Sequence, residues 1–125
     1  MKTLRVLIVE DYRDTANLVA IWVTSAGHTA QICETAFAAT EAMPDFRPDI
    51  VLLDIGLPDM DGWELAPLLR QDNPELTIIA ITAYQSLDDR QKSKDAGIDL
   101  HLSKPLQRDK ILALLALATA GQPIA

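Results

Sequence analysis

Apolar residues fall along this chain in short runs that alternate with longer, mixed stretches. The runs Leu4 to Val9, His28 to Cys33, Asp49 to Asp54, Leu76 to Ile81 and Ile98 to Leu102 have strand length, and the first is rich in β-branched residues. Ile50-Val51-Leu52-Leu53 enters Asp54 directly and is broken at once by Gly56 and Pro58. A continuous apolar run with such stops reads as a strand buried on both faces. The stretches between the runs have helical spacing. From about Arg13 to Ala26, Thr15, Leu18, Val19, Trp22 and Ala26 form a stripe expected to face the sheet, and Gly27 supplies the stop. Ala20, Ile21 and Val23 widen that helix's apolar surface, giving either a broad core face or a partner-docking patch.

The remaining helices carry their own start and stop signals. Thr35 caps a short helix over Ala36 to Met43, ended by Pro44 and Arg47-Pro48. Asp61, with Glu64 three residues on, caps a helix whose inner stripe is Leu65, Leu68 and Leu69, with Pro67 near its first turn. Ser86 with Asp89 caps a polar helix running to about Ala96 and stopped by Gly97. The helix from Arg108 to Thr119 is apolar all round: either it is well buried, or it forms a dimer or partner surface with the helix at 86–96. His28, in the turn beside Gly27, is expected to be solvated, and Trp63 to be a half-buried aromatic at a helix start.

Strand and helix thus alternate five times with short connections and no internal repeat. That pattern predicts an α/β fold, a parallel sheet with helices on both faces and right-handed crossovers. It is one domain over residues 1–120 with a short tail at 121–125. The loops after strands one, three, four and five converge on one edge of the molecule.

Composition narrows the class. Hydrophobic residues make up 49% of the 125, which excludes a disordered acidic tail. The formal net charge of −7, from 11 Lys+Arg against 18 Asp+Glu, argues against nonspecific nucleic-acid binding and against anionic membranes. No apolar run reaches the ~18–20 residues of a membrane span, and Met1 to Arg5 has no signal-peptide core. The single cysteine, Cys33, fits a small buried hydrophobe in a reducing compartment, so the expected location is the cytoplasm.

Candidate chemistry sits where the strands end. Glu10-Asp11, Asp54, Thr82 and Lys104 each follow an apolar strand directly. Three crowded carboxylates repel, so one takes up a proton or a cation lies between them, and Mg²⁺ is the abundant hard cation for oxygen ligands. Carboxylates, Mg²⁺, an ammonium and a hydroxyl describe a site for a phosphoryl group, whose transfer needs mainly positioning and charge neutralisation. Asp54, alone on the central strand, is the candidate nucleophile and would form an acyl phosphate. Glu10 and Asp11 would hold the metal, and Gly56 allows its backbone carbonyl to turn towards it. Asp59, Asp61, Asp88 and Asp89 read as solvated loop and cap residues.

The chain resembles the receiver domain of two-component response regulators, from about Leu4 to Leu117. The matching residues are Val9-Glu10-Asp11, Leu53-Asp54-Ile55-Gly56-Leu57-Pro58-Asp59-Met60-Asp61-Gly62, Ile81-Thr82-Ala83 and Leu102-Ser103-Lys104-Pro105. The resemblance implies a flavodoxin-like (βα)5 sandwich with strand order 2-1-3-4-5. It implies a signalling phosphoacceptor, not a metabolic enzyme, that catalyses only its own phosphorylation and dephosphorylation. Asp54 would accept a phosphoryl group from a histidine kinase or a histidine phosphotransfer protein. Asp11 would bind Mg²⁺ directly (Mn²⁺ could substitute), Glu10 through water, and Gly56 by its carbonyl. Lys104 would pair with the phosphoryl oxygens, and Thr82 would move to hydrogen-bond them, switching a partner surface. Pro105 would follow a cis peptide bond that helps to aim Lys104.

Three positions depart from the family pattern. His101 stands where a Tyr or Phe usually couples to the Thr82 motion; it is either a mark of receivers attached to sensor kinases or a partly exposed His with no switching role. Gly56 opens the site and Tyr84 shields it, so the phosphoryl lifetime stays open. A free-standing receiver and a piece of a hybrid kinase or longer regulator all fit. A haloacid-dehalogenase-type phosphatase would need a second acid two residues after the nucleophile, where this chain has Gly56. A dinucleotide-binding domain would need G-x-G-x-x-G after the first strand, which is missing. A phosphorylation-independent interaction module is disfavoured by the complete acid, threonine and lysine set.

Overall fold

A computed structural model describes residues 2–83 and 86–122. The elements are β1 (Arg5–Val9), α1 (Arg13–Ser25), β2 (Thr29–Cys33), α2 (Ala36–Phe46), β3 (Ile50–Asp54), α3 (Gly62–Arg70), β4 (Thr77–Thr82), α4 (Leu87–Asp95), β5 (Leu100–Ser103) and α5 (Arg108–Thr119). The strands form one sheet in the order β2-β1-β3-β4-β5, every pair parallel. This is the doubly wound, flavodoxin-like arrangement expected from the alternation and the resemblance.

The apolar runs explain the layers. Successive side chains of a strand point to opposite faces, so a central strand must be apolar at every position. Leu7, Val9, Val51, Leu53 and Ile78 pack with α2 and α3 on one face. Val6, Ile8, Ile50, Leu52, Ile79 and Ile81 pack with α1 and α5 on the other. Cys33 is buried in the first of these clusters, and burial pushes its thiol pKa up, as suits a small hydrophobe. Register then places the site. Val9 lies opposite Leu53, so the residues that follow β1 sit beside Asp54 at the end of β3. The chain runs outward from β1 to β2 and then back to β3, so this crevice is the topological switch point.

Several local expectations are corrected. The buried stripe of α1 is Ala16, Val19 and Val23, while Leu18 is exposed and Trp22 only partly buried. Of the five residues expected to face the sheet, Val19 alone is fully buried, because the helix is rotated towards its smaller side chains. Leu68 is likewise exposed, and α3 buries Leu65, Ala66 and Leu69. Helix α2 does not stop before Pro44 but carries it inside, ending at Arg47 in a left-handed conformation with φ 50°. His28 is not a solvated turn residue: its Nδ1 accepts the Leu4 N–H at 3.0 Å, satisfying the amide that enters β1. Helix α5 is not buried all round; it buries Ile111 and Leu115 and leaves Leu117 exposed. The caps at Thr35, Asp61 and Ser86 are all present, Ser86 and Asp89 forming a reciprocal capping box.

Candidate functional site

Glu10, Asp11 and Asp54 come together at the switch point, with one carboxylate oxygen from each within 4.8 Å of the others. Glu10 and Asp54 are buried to 5% exposure, whereas Asp11 faces solvent. Glu10 is held from three sides. Its backbone N–H donates to the Cys33 carbonyl, its Oε2 accepts the Tyr12 N–H at 3.2 Å, and Lys104 Nζ lies 3.6 Å from its Oε1. Asp54 Oδ1 accepts the Gly56 N–H at 3.1 Å and lies 3.3 Å from Lys104 Nζ. Lys104 thus bridges the two buried acids. Its backbone N–H donates to the Thr82 carbonyl, joining the ends of β4 and β5, and the Lys104–Pro105 peptide is cis.

The electrostatics show unrelieved crowding. Burial, and then the hydrogen bond to and charge of Asp54, push the Glu10 pKa up to about 7; the Tyr12 N–H and the Lys104 ammonium pull it down. Burial acts to lower the Lys104 pKa, but the Asp54 and Glu10 carboxylates outweigh it and raise it. One ammonium does not balance three acids at this spacing. The all-oxygen donor set fits a hard divalent cation such as Mg²⁺.

Thr82 is fully buried at the end of β4, on the strand that pairs with β3. Gly56 faces open space: a Cβ there would meet only Asp54 Oδ1, at 4.0 Å. Tyr84 lies outside the described residues. His101 is on β5, with its Nε2 in a hydrogen bond to Ser93 Oγ. The sequence reading missed two contacts. Ser93, the one buried residue of α4, also receives the Trp63 indole N–H at 2.8 Å. Asp59 accepts the N–H groups of Ala36 and Phe37 at 2.8 and 3.0 Å, so it is more than a solvated loop residue. Both contacts join distant segments. The only sequence hint was Ser93's place seven residues after the Ser86 cap, on one helical face.

Among the described residues, no helix is long and apolar enough to cross a membrane. A family model for the response regulator receiver domain matches residues 6–116. Response regulator MprA of Mycobacterium ulcerans is 32% identical over 111 residues, covering 89% of this chain and 48% of that protein. Transcriptional regulatory protein PhoP of Escherichia coli K12 is 33% identical over 110 residues, covering 88% of this chain and 49% of its own length. The chain therefore spans about half the length of these relatives. A CheY-like receiver domain protein from Methanospirillum hungatei superposes with a TM-score of 0.89 at 27% identity, over 97% of each chain. The chemotaxis protein CheY4 of Vibrio cholerae shares the fold at a TM-score of 0.86 and 23% identity, over 92% of this chain and 98% of its own. The chain belongs to the response regulator receiver domain family.

Proposed function

We propose that residues 1–120 form a cytoplasmic phosphoacceptor domain in which Asp54 takes a phosphoryl group from a phosphohistidine on a histidine kinase or histidine phosphotransfer protein. The observation that carries this reading is the pair of buried acids, Asp54 and Glu10, bridged by Lys104 beside solvent-facing Asp11. An Asp54 carboxylate oxygen attacks phosphorus, a P–O bond forms as the P–N bond breaks, and the imidazole leaves. Lys104, already within 3.3 Å of Asp54, neutralises the phosphoryl oxygens. Mg²⁺ (or Mn²⁺), held by Asp11, Asp54 and the Gly56 carbonyl and through water by Glu10, would supply the remaining charge neutralisation. The open face at Gly56 admits the donor and, later, water. Thr82 turns towards the new phosphoryl group, and β5, with His101 against Ser93, carries the change to α4.

The domain catalyses only its own phosphorylation and dephosphorylation. For the donor, exposed Tyr12, just before α1, and Leu18 on α1 line a groove that continues to Glu10, Lys104 and Leu106, next to the acceptor. For dimerisation or an effector, exposed Leu87 and Leu117 mark the helices at 86–96 and 108–119. The net charge of −7 opposes direct contact with nucleic acid or anionic membranes.

The test is labelling with a small acyl-phosphate donor and Mg²⁺. Wild-type protein gains one acid-stable, hydroxylamine-labile phosphoryl group, and Asp54→Asn gains none. Equal labelling of Asp54→Asn removes Asp54 from the role, and rapid turnover of a phosphomonoester would replace the reading with a phosphatase.

A further inference from the structure

The acidic cluster is assembled from two loops: Glu10 and Asp11 follow β1, whereas Asp54 and Gly56 open the connection from β3 to α3. That second loop is tightly folded. Gly62 N–H returns to the Ile55 carbonyl at 2.8 Å, and a Cβ on Gly62 would lie 2.7 Å from Ile55 Cδ1 and 3.2 Å from the Asp54 carbonyl oxygen. Both ends of the loop therefore press on the end of β3. Its outer side is secured by Asp59, whose two carboxylate oxygens each accept one N–H from the first turn of α2. Those amides lie 23 and 22 residues away in sequence and hold the Asp59 carboxyl below the usual range. Helix α2 leads back to the other loop. It follows β2, whose last residue, Cys33, binds the Glu10 N–H through its carbonyl, and Glu34 pairs with Arg13 at the start of α1. A closed circuit thus runs from Glu10 through Cys33, the α2 N-terminus and Asp59 to Gly56 and Asp54.

We propose that Asp59 is a positioning residue: its bidentate clamp on the α2 N-terminus fixes the β3–α3 loop so that Gly56 and Asp54 are preset for the divalent cation. The inference deepens the Mg²⁺ reading above and rests on it. Asp59 itself touches neither metal nor phosphoryl group. Its effect arises because an unclamped loop must be ordered each time the cation binds.

Thr35 provides the control. Its side chain caps the same helix locally, by accepting the Ala38 N–H at 3.0 Å. Asp59→Ala is expected to weaken Mg²⁺ binding roughly threefold to tenfold, less than the loss of a group bonded directly to a ligand. MgCl₂ titration calorimetry measures this. In metal-free protein, the same variant should speed hydrogen exchange of the Gly56 amide, which is bonded to Asp54 Oδ1. Thr35→Ala should lower the unfolding midpoint and leave both readouts at the wild-type value. Asp59→Asn, which keeps one acceptor oxygen, should fall between. The proposal is overturned if Asp59→Ala leaves Gly56 exchange unchanged, since weaker Mg²⁺ binding would then be a charge effect. It is also overturned if Thr35→Ala moves both readouts equally, since Asp59 would then be only a cap. Should wild-type protein bind no Mg²⁺ at millimolar concentration, the metal reading fails, and the exchange rates still decide whether Asp59 holds the loop.

Discussion

Helices α3 and α4 are each nine residues long, and both begin at a side-chain cap, yet they are attached to the protein by different physics. Helix α3 buries Gly62, Leu65, Ala66 and Leu69 in the core that also covers β1 and β3. Helix α4 buries one residue, Ser93, and presents no apolar stripe. It is held by the Ser93 hydroxyl between Trp63 and His101, by Lys92 over the Trp63 ring at 4.8 Å, and by Ala96 just beyond its end. Apolar burial is non-directional and large in sum, about 25 cal/mol per Å². A neutral hydrogen bond contributes only about 0.5–1.5 kcal/mol net, and only in one geometry. The helix that follows the Asp54 loop is therefore anchored, and its neighbour can be released cheaply. That division suits the role proposed above, in which a phosphoryl site is held rigid while a surface moves.

The largest expected effect comes from attacking the anchored helix. Leu65→Ala empties a fully buried position among α2, α3 and the sheet and should cost about 2–5 kcal/mol in urea unfolding. A loss well under 1 kcal/mol would mean that α3 is no better attached than α4. Ser93→Ala comes next. It leaves the Trp63 indole N–H and the His101 ring without their shared partner, for about 1–3 kcal/mol. Its signature is local: Trp63 emission should change and amide exchange across α4 should accelerate, with α3 amides unaffected. Equal acceleration in both helices would break the contrast between them.

How far the sequence foretold this depends on the range of each interaction. The parallel sheet, the α4 capping box and the gathering of Glu10, Asp11, Asp54 and Lys104 follow from patterns within a few residues and from the rule that strand ends converge, whereas the strand order came with the resemblance to the receiver family. The inner face of α1 was misjudged because the helix is apolar beyond one stripe, so spacing alone does not choose between Leu18 and Ala16. Pro44, expected to stop its helix, lies inside it because tertiary packing overrides local propensity. The Asp59 clamp and the Ser93 junction were illegible for a simpler reason. Each is a contact between segments whose approach is set only by the finished fold, and neither residue type announces a partner some 20–30 positions away.

The smallest expected effect is a pH dependence of the α4 attachment. Burial, and secondarily the Arg90 charge, lower the His101 pKa from its ordinary 6.5, against an upward pull from Asp89. The neutral ring suits its place: Nε2 meets Ser93, while Nδ1 is buried with no hydrogen-bond partner, so an imidazolium would strand an N–H there. With the folded pKa below the unfolded one, the unfolded chain binds more protons over that interval. The contribution is therefore complete above about pH 6.5 and is lost as pH falls towards the folded value. Glu10 acts in the opposite sense. Its pKa is raised from 4.5 to about 7, so the metal-free protein is relieved of a buried charge as pH falls through that window. The wild-type profile alone mixes the two, and subtracting His101→Gln separates them. The stability advantage of wild type over His101→Gln should shrink as pH falls below about 6.5. The change stays small because the ring is only half-buried and solvent screens it. An advantage that grows on acidification would mean that the charged imidazole is the form that holds α4, and α4 would then be fastened by an ion pair with Asp89 instead of by the Ser93 hydroxyl.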